Sequence, residues 1–192
     1  MSAVQPSLIG IFAMVAETSG RPWAVFPLGD IRSRLDLLSA DTICVTMENQ
    51  LHLTCPHCDS VNRIPESRLA ESPACGSCHK PLFTGHPLTL TDANVEKVLA
   101  RNDIPIVVDC WAAWCGPCRQ FAPSFEKAAA AFEPRIRFAK LDTDANPQSS
   151  ARFQIRSIPT LILFGGGEEI ARQSGALPYG AFTQWLLEHL QA

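Results

Sequence analysis

Six of the eight cysteines in this 192-residue chain fall into three Cys-x-x-Cys pairs. Cysteines at this spacing can bind a metal ion, form a structural disulfide, or carry out thiol–disulfide exchange. The chemistry of the chain therefore depends on which of these three roles each pair has. The three pairs are Cys55 and Cys58, Cys75 and Cys78, and Cys115 and Cys118.

The first two pairs predict a zinc site. Sixteen residues separate Cys58 from Cys75, which fits the C-x2-C-x15–20-C-x2-C pattern of a tetrahedral four-cysteine centre. Such a site leaves no open coordination position, so we expect a structural role. Residues 47–86 hold too few apolar side chains for a core of their own, which makes a metal staple necessary and couples metal binding to folding.

Alternatives to this zinc site remain at this point. The four cysteines could form two disulfides or stay as free thiols. His57 and His79 adjoin the cysteines and could replace a ligand, although we expect them to lie at the surface or behind the ligands. Gly76 is expected to relieve the backbone of the second turn.

The third pair predicts redox chemistry. No second Cys or His pair in residues 119–188 could complete a metal site, and so short a loop makes a poor structural disulfide. The pair lies where an apolar strand gives way to a helix, and the positive end of a helix stabilises a thiolate. We expect Cys115 to be an exposed attacking thiol and Cys118 a shielded resolving thiol.

Two residues upstream of this pair raise separate questions. Asp109 lies inside the apolar run "IVVDCWA", where burial would raise its pKa and leave a proton acceptor poised near neutrality. The alternative is an aspartate exposed at the strand end. Cys110 points to the opposite face of the strand, so we expect it to pack as a small apolar residue, with redox sensing as the alternative. Cys44 has no obvious partner.

Residues 87–192 must position these groups, and they alternate between helix and strand. A cap at Thr91 or Asp92, helix-period apolar residues and a kink at Pro123 are expected. Strands and helices in alternation indicate an α/β fold with helices on both sheet faces. The predicted helices span residues 91–103, 116–132, 146–155 and 178–192, and the predicted strands span 87–90, 104–112, 136–144, 160–164 and 168–175.

The segment "VVDCWAAWCGPCRQFAP" resembles the active-site region of the thioredoxin family. The segments "AKLDTDANP", "IRSIPTLILFGGGE" and "SGALP" extend the resemblance over residues 87–192. The segments "CPHC" and "CGSCHKPLF" resemble the N-terminal module of the zinc-containing bacterial thioredoxins, the thioredoxin 2 group. The resemblance implies a thioredoxin fold, with a mixed central sheet flanked by helices, preceded by a small zinc-ribbon-like module. Cys110 departs from the family, which commonly has an aromatic residue there.

The resemblance also implies a role for particular residues. Cys115 matches the nucleophile and Cys118 the resolving thiol, while Asp109 matches the buried acid that relays the proton of Cys118, with Lys140 beside it. Pro159 matches a cis-proline facing the disulfide, and Trp111 matches a tryptophan packed near the site. The expected substrate-binding residues are Trp114, Gly116, Pro117, Ile158, Pro159, Gly175 and Ala176.

Residues 1–46 carry no recognisable motif, and we expect a disordered leader or a misassigned start, with translation beginning at Met47. The zinc module then covers 47–86 and the thioredoxin domain 87–192. The apolar run at residues 7–16 is too short to span a bilayer and follows no basic residue, which favours the cytoplasm. A net charge of −3 without basic runs indicates no nucleic-acid or membrane partner.

The expected activity is the reduction of protein disulfides by a monomer that draws electrons from an NADPH-dependent thioredoxin reductase. Zinc is the only expected cofactor, with no organic group bound. The Gly-Pro dipeptide between the cysteines favours reduction, since other dipeptides mark the oxidising relatives. A disulfide oxidase or isomerase on the same fold is one alternative, and a redox-controlled, zinc-dependent binding module is another.

Overall fold

The computed structural model describes residues 49–190. The predicted leader, Met47 and Cys44 lie outside these residues. Two regions of secondary structure follow each other along the chain. The first contains β1 (Gln50–Thr54), β2 (Val61–Pro65) and a short 3-10 helix (Glu66–Glu71). The second contains β3 (Leu88–Leu90), α1 (Val95–Ala100), β4 (Ile106–Trp111), α2 (Gly116–Phe132), β5 (Arg137–Asp142), α3 (Pro147–Arg152), β6 (Thr160–Gly165), β7 (Glu168–Ser174) and α4 (Tyr179–Leu190).

A five-stranded sheet forms the centre of the second region, with strand order β3-β5-β4-β6-β7. Strands β3, β5 and β4 are parallel, whereas β6 and β7 run antiparallel to their neighbours. Strand β4 lies in the middle of the sheet and is buried on both faces. This position fits its continuous apolar run, because only a strand covered on both sides is apolar on both faces. The sheet is therefore mixed, and the predicted hairpin of residues 160–175 is confirmed as β6 and β7.

Helices cover both faces of this sheet, as the sequence predicts. Val108 and Cys110 pack with apolar residues of α1 on one face. Val107 packs on the other face with Phe121 of α2 and Phe182 of α4. Strand alternation places Asp109 on the same face as Val107, beneath α2. Helix α2 has the bounds expected from the sequence and contains Pro123 within it.

The expected cap at Thr91 or Asp92 is wrong. Helix α1 begins at Val95, and Asn94 precedes it without a side-chain capping bond. Asp92 instead accepts hydrogen bonds from the backbone N–H of Ser149 at 2.7 Å and of Gln148 at 3.3 Å. These donors are the free N–H groups of the first turn of α3, so Asp92 caps a helix more than fifty residues away in sequence.

The first region is a small ribbon that packs against the second, and both belong to one compact unit. Strands β1 and β2 pair in an antiparallel hairpin. Leu53 and Leu82 of the ribbon form an apolar cluster with Ile104, which lies just before β4. The apolar core of the ribbon is therefore completed by a side chain of the neighbouring domain. This contact compensates for the small number of apolar residues in the ribbon itself.

Arg137 forms the most buried polar link between the two regions. It is 1% exposed at the start of β5. Its Nη1 donates to the carbonyl oxygen of Thr54 at 2.5 Å, and its Nη2 donates to the carbonyl oxygen of Leu82. Its guanidinium also lies 4.9 Å from the ring centre of Phe83. Because Thr54 directly precedes Cys55, this arginine fixes the backbone next to the first cysteine of the cluster.

Replacing Arg137 with Met should lower the free energy of unfolding by about 3 kcal/mol. The change leaves the buried carbonyls of Thr54 and Leu82 without donors, at about 1–3 kcal/mol for each unsatisfied group. Urea unfolding at neutral pH measures the loss. Arg135→Met is the matched control, since Arg135 is exposed and lies two residues away, and it should change stability by less than about 0.5 kcal/mol. Equal stability of the two variants would contradict the anchoring role of Arg137.

Candidate active site and metal centre

Cys115 and Cys118 form a disulfide at the first turn of α2. Cys115 is the N-cap residue of this helix, and its Sγ accepts a hydrogen bond from the backbone N–H of Cys118 at 3.1 Å. The free N–H groups and the positive end of the helix dipole both point at this sulfur. When the disulfide is reduced, the same groups are placed to stabilise a thiolate on Cys115.

Cys115 is more buried than the sequence predicts. It is 4% exposed and Cys118 is 2% exposed. The Sγ of Cys115 lies 3.8 Å from the carbonyl oxygen of Ile158, so the segment that contains Ile158 and Pro159 covers one side of the sulfur. The sequence could not show this cover because it comes from a loop more than forty residues away.

The covering segment has the backbone features that the resemblance implies. The peptide bond between Ile158 and Pro159 is cis. The backbone N–H of Gly175 donates to the carbonyl oxygen of Pro159 at 2.8 Å. Gly175 has a φ of 89°, a left-handed conformation that glycine adopts without strain. Gly175 and the neighbouring exposed Ala176 therefore lie beside the loop that faces the disulfide.

A groove of about 410 Å³ lies next to the disulfide, and we call it the docking groove. Trp114, 69% exposed, stands at its wall and donates from Nε1 to Oδ2 of Asp144 at 2.7 Å. Of the predicted substrate-binding residues, Trp114 and Ile158 line this groove, whereas the other five lie outside its lining. Residues that the sequence analysis missed form the remaining lining: Thr143, Asp144, Ser150, Ile155, Arg156 and Ser157. Asp144 lies within "AKLDTDANP", so the resemblance could have singled it out.

Asp109 is completely buried on the sheet face that α2 covers. Neither oxygen of its carboxylate has a hydrogen-bond partner among the described residues. Its nearest counter-charge is Nζ of Lys140, 4.0 Å from Oδ2, and this ammonium also lies 4.9 Å from the ring centre of Trp111. Burial raises the pKa of Asp109 to about 6, and the charge of Lys140 offsets only part of that rise. The alternative of an exposed aspartate is wrong.

Cys110 lies on the opposite face of β4 from Asp109. It is completely buried in an apolar cluster with Val108 and Ile162. Burial, and then the charge of Asp109, raise the pKa of its thiol to about 12. A thiol in these surroundings is protonated and inaccessible, which fits packing rather than redox sensing.

The four other paired cysteines meet at one point in the ribbon, with all of their sulfur atoms within 4.8 Å of one another. The Sγ atoms of Cys55 and Cys78 are 3.6 Å apart, and those of Cys58 and Cys75 are 3.7 Å apart. Four thiolates held about 2.3 Å from one tetrahedral zinc ion lie about 3.8 Å from each other. All four are free thiols, so neither of the two disulfides considered as an alternative is present. The residues therefore fit a zinc ion.

The two cysteine turns repeat one backbone design. In the first turn the N–H of His57 approaches Sγ of Cys55 at 3.4 Å, and in the second the N–H of Ser77 approaches Sγ of Cys75 at 3.4 Å. The residue after each pair, Asp59 or His79, has a left-handed backbone with φ of 54° or 60°. The expectation that Gly76 would relieve the turn is wrong, because the strained position lies three residues later. His57 and His79 lie outside the group of possible ligands.

A helix that starts at a Cys-x-x-Cys disulfide, facing a proline loop on a mixed sheet, defines a thiol–disulfide oxidoreductase. The thioredoxin family model matches residues 86–188, and a zinc-ribbon model described as "Thioredoxin 2, N-terminal" matches residues 54–80. The chain belongs to the thioredoxin family.

Relatives of known name agree with this assignment. Thioredoxin C-3 of Corynebacterium nephridii is 45% identical over 139 residues, which cover 72% of this chain and 95% of that relative. Thioredoxin 1 of a Nostoc strain is 42% identical over 101 residues, covering 53% of this chain and 94% of the relative. A thioredoxin of Alicyclobacillus acidocaldarius is 45% identical over 104 residues, covering 54% of this chain and 98% of the relative. Within residues 49–190, no helix has the length and apolar character needed to cross a membrane.

Replacing Asp109 with Asn should stabilise the oxidised protein at neutral pH. The folded carboxyl has a pKa of about 6, against 3.8 for the unperturbed group, so the folded state keeps a proton that the unfolded chain has lost. Stability of the wild type therefore falls as pH rises from about 4 to about 6, by about 3 kcal/mol at about 1.4 kcal/mol per pKa unit. The neutral amide of Asn does not titrate.

Urea unfolding between pH 4 and pH 8 measures this effect. The free energy of unfolding of Asp109→Asn should exceed that of the wild type by about 3 kcal/mol at pH 7.5. This difference should shrink toward zero as the pH falls to about 4. Glu168→Gln is the matched control, because Glu168 is an exposed carboxylate at the start of β7, and its profile should follow the wild type. A constant difference between Asp109→Asn and the wild type at every pH would show that Asp109 does not titrate with a raised pKa.

Proposed function

We propose that this oxidoreductase reduces protein disulfides through the dithiol of Cys115 and Cys118. The observation that carries the proposal is the position of Cys115 at the N-cap of α2, where its sulfur accepts the N–H of Cys118 and lies beside the Ile158 carbonyl. A nucleophilic thiolate and a covered resolving sulfur are thereby held together in one turn.

In the proposed reaction, the thiolate of Cys115 attacks one sulfur of a substrate disulfide. The substrate S–S bond breaks, the first substrate thiolate leaves, and a mixed disulfide forms on Cys115. Cys118 then loses its proton to the carboxylate of Asp109 and attacks Sγ of Cys115. This step breaks the mixed disulfide, releases the second substrate thiolate, which takes up a proton from solvent, and leaves the disulfide between Cys115 and Cys118. Two electrons pass from the dithiol to the substrate, and thioredoxin reductase would restore the dithiol with electrons from NADPH.

The roles of Asp109 and Lys140 in this proposal follow from their surroundings. Asp109 lies beneath α2 with no hydrogen-bond partner among the described residues and a pKa near 6, so it can accept a proton at neutral pH. Lys140 sits 4.0 Å away and keeps that pKa from rising further. Trp114, Gly116, Pro117, Ile158, Pro159, Gly175 and Ala176 are proposed to contact the substrate, whose sulfur must approach Cys115 between Trp114 and the Ile158 loop.

We propose a structural role for zinc, held by Cys55, Cys58, Cys75 and Cys78. A bound ion would supply the cross-link that the small ribbon core lacks. All four ligand positions would be filled by sulfur, so the ion would offer no site for substrate. Arg137 anchors the ribbon at the start of β5, whereas Cys115 follows the far end of the neighbouring strand β4. Arg137 thus attaches the ribbon to the end of the sheet opposite to Cys115.

Insulin reduction with NADPH and thioredoxin reductase should separate the two cysteine sites. Cys115→Ser removes the nucleophile and should abolish turnover. Cys55→Ser removes a zinc ligand, so its zinc content, measured by atomic absorption, should fall below the wild-type ratio of about one ion per chain. Its turnover per folded chain should persist. Equal loss of turnover in both variants would mean that the ribbon cysteines take part in the reaction.

Two further measurements distinguish the alternatives. A reduction potential near −120 mV, the oxidising end of the range for such dithiols, would indicate a disulfide oxidase, whereas a value near −270 mV supports a reductase. Release of zinc by a mild oxidant together with altered partner binding would support a redox-controlled binding module.

A further inference from the structure

The docking groove contains two charged side chains of opposite sign, Asp144 and Arg156. The carboxylate of Asp144 already accepts the indole N–H of Trp114 at 2.7 Å. Arg156 is exposed and forms no ion pair with any other residue in the range 49–190. The negative charge of the groove is therefore held beside Trp114, whereas the positive charge of Arg156 lies in the segment that leads to Ile158 and is left available to a bound substrate.

A second cavity of about 590 Å³ adjoins the docking groove and shares Arg156 and Ser157 with it. Two other arginines line this cavity, and both already have a partner. Arg152 pairs with a glutamate of α1, and Arg172 pairs with Glu169 through two contacts of 2.7 and 2.8 Å. Pairing neutralises these two cations, which leaves Arg156 as the uncompensated one of the three.

Glu168 also lines the second cavity, but it lies at the far end of the hairpin. Gly165 pairs with Glu168, whereas Thr160 pairs with Ser174 at the end nearer Arg156 in sequence. Gly165 lies five residue steps along the strand from Thr160, a span of about 17 Å. Salt at physiological concentration screens exposed charges beyond about 8 Å, so a carboxylate at the Gly165 end of the hairpin is largely screened from a charge at the Thr160 end.

The position of Arg156 along the chain places its charge close to the reacting sulfur. It lies two residues before Ile158, whose carbonyl oxygen is 3.8 Å from Sγ of Cys115. Two residues of extended chain span about 7 Å. A substrate segment bound beside Ile158 would therefore bring residues two or three positions from its cysteine within reach of the guanidinium.

We propose that Arg156 gives this chain a preference for protein disulfides with an acidic side chain two or three residues from the attacked cysteine. The inference rests on the proposed disulfide reduction and adds a specificity determinant to it. Arg156 takes no part in the electron transfer. It stabilises the encounter with an acidic segment and disfavours a basic one, through an exposed pair whose effect is modest and salt-sensitive.

The test uses three disulfide-linked peptides that differ only in one residue, Glu, Gln or Lys, placed two positions from the cysteine. Turnover is coupled to NADPH and thioredoxin reductase, and the readout is the ratio of kcat/KM for the Glu peptide to that for the Lys peptide. For the wild type we expect a ratio of about 5 at low salt, approaching 1 in 1 M NaCl. Arg156→Met should bring the ratio near 1, Arg156→Glu should invert it, and Arg156→Lys should retain a value above 1.

Arg101→Met is the matched control, since it removes one exposed positive charge outside both cavities and should keep the wild-type ratio. A ratio of 1 for the wild type, or one that Arg101→Met lowers as much as Arg156→Met does, overturns the role of Arg156. Failure of the wild type to reduce even the Gln peptide would instead overturn the proposed disulfide reduction, and the charge preference with it.

Discussion

A carboxylate buried without a hydrogen-bond partner among residues 49–190 is the constraint around which this structure is arranged. Burying the charge of Asp109 is unfavourable, and the single ammonium of Lys140 at 4.0 Å compensates only in part. The pKa of about 6 is the consequence, and it requires both the central position of β4 and the cover supplied by α2. Cys115 is the N-cap residue of the same helix that covers Asp109. The same helix therefore both buries Asp109 and positions the sulfur of Cys115.

The three cysteine pairs differ because their surroundings differ. Two turns of the ribbon face each other with sulfur atoms at the spacing of a four-thiolate centre. The third pair stands alone at a helix N-terminus, where backbone N–H groups favour a thiolate. Arg137 joins the ribbon to the sheet at the start of β5, the end away from Cys115.

Local patterns in the sequence predict much of this arrangement. The bounds of α2 follow from helix-period apolar residues after the cysteine pair, and the cysteine cluster follows from the spacing of Cys58 and Cys75. Burial of Asp109 follows from the apolar run around it. The features that the sequence analysis missed arise from contacts between distant segments. Asp92 caps α3, Arg137 reaches the carbonyls of the ribbon, and the Ile158 loop covers Cys115.

In the proposed reaction, Asp109 accepts the proton of Cys118 when the mixed disulfide is resolved. Stopped-flow mixing of the reduced protein with a symmetrical aromatic disulfide follows release of the second chromophoric thiolate, which reports this step directly. Asp109→Asn should slow that release at pH 7 by about 100-fold or more, the usual contribution of a general base. Attack by Cys115, seen as release of the first thiolate, should be slowed far less. Release of the second thiolate by Asp109→Asn at the wild-type rate from pH 5 to pH 9 would show that Asp109 does not take this proton.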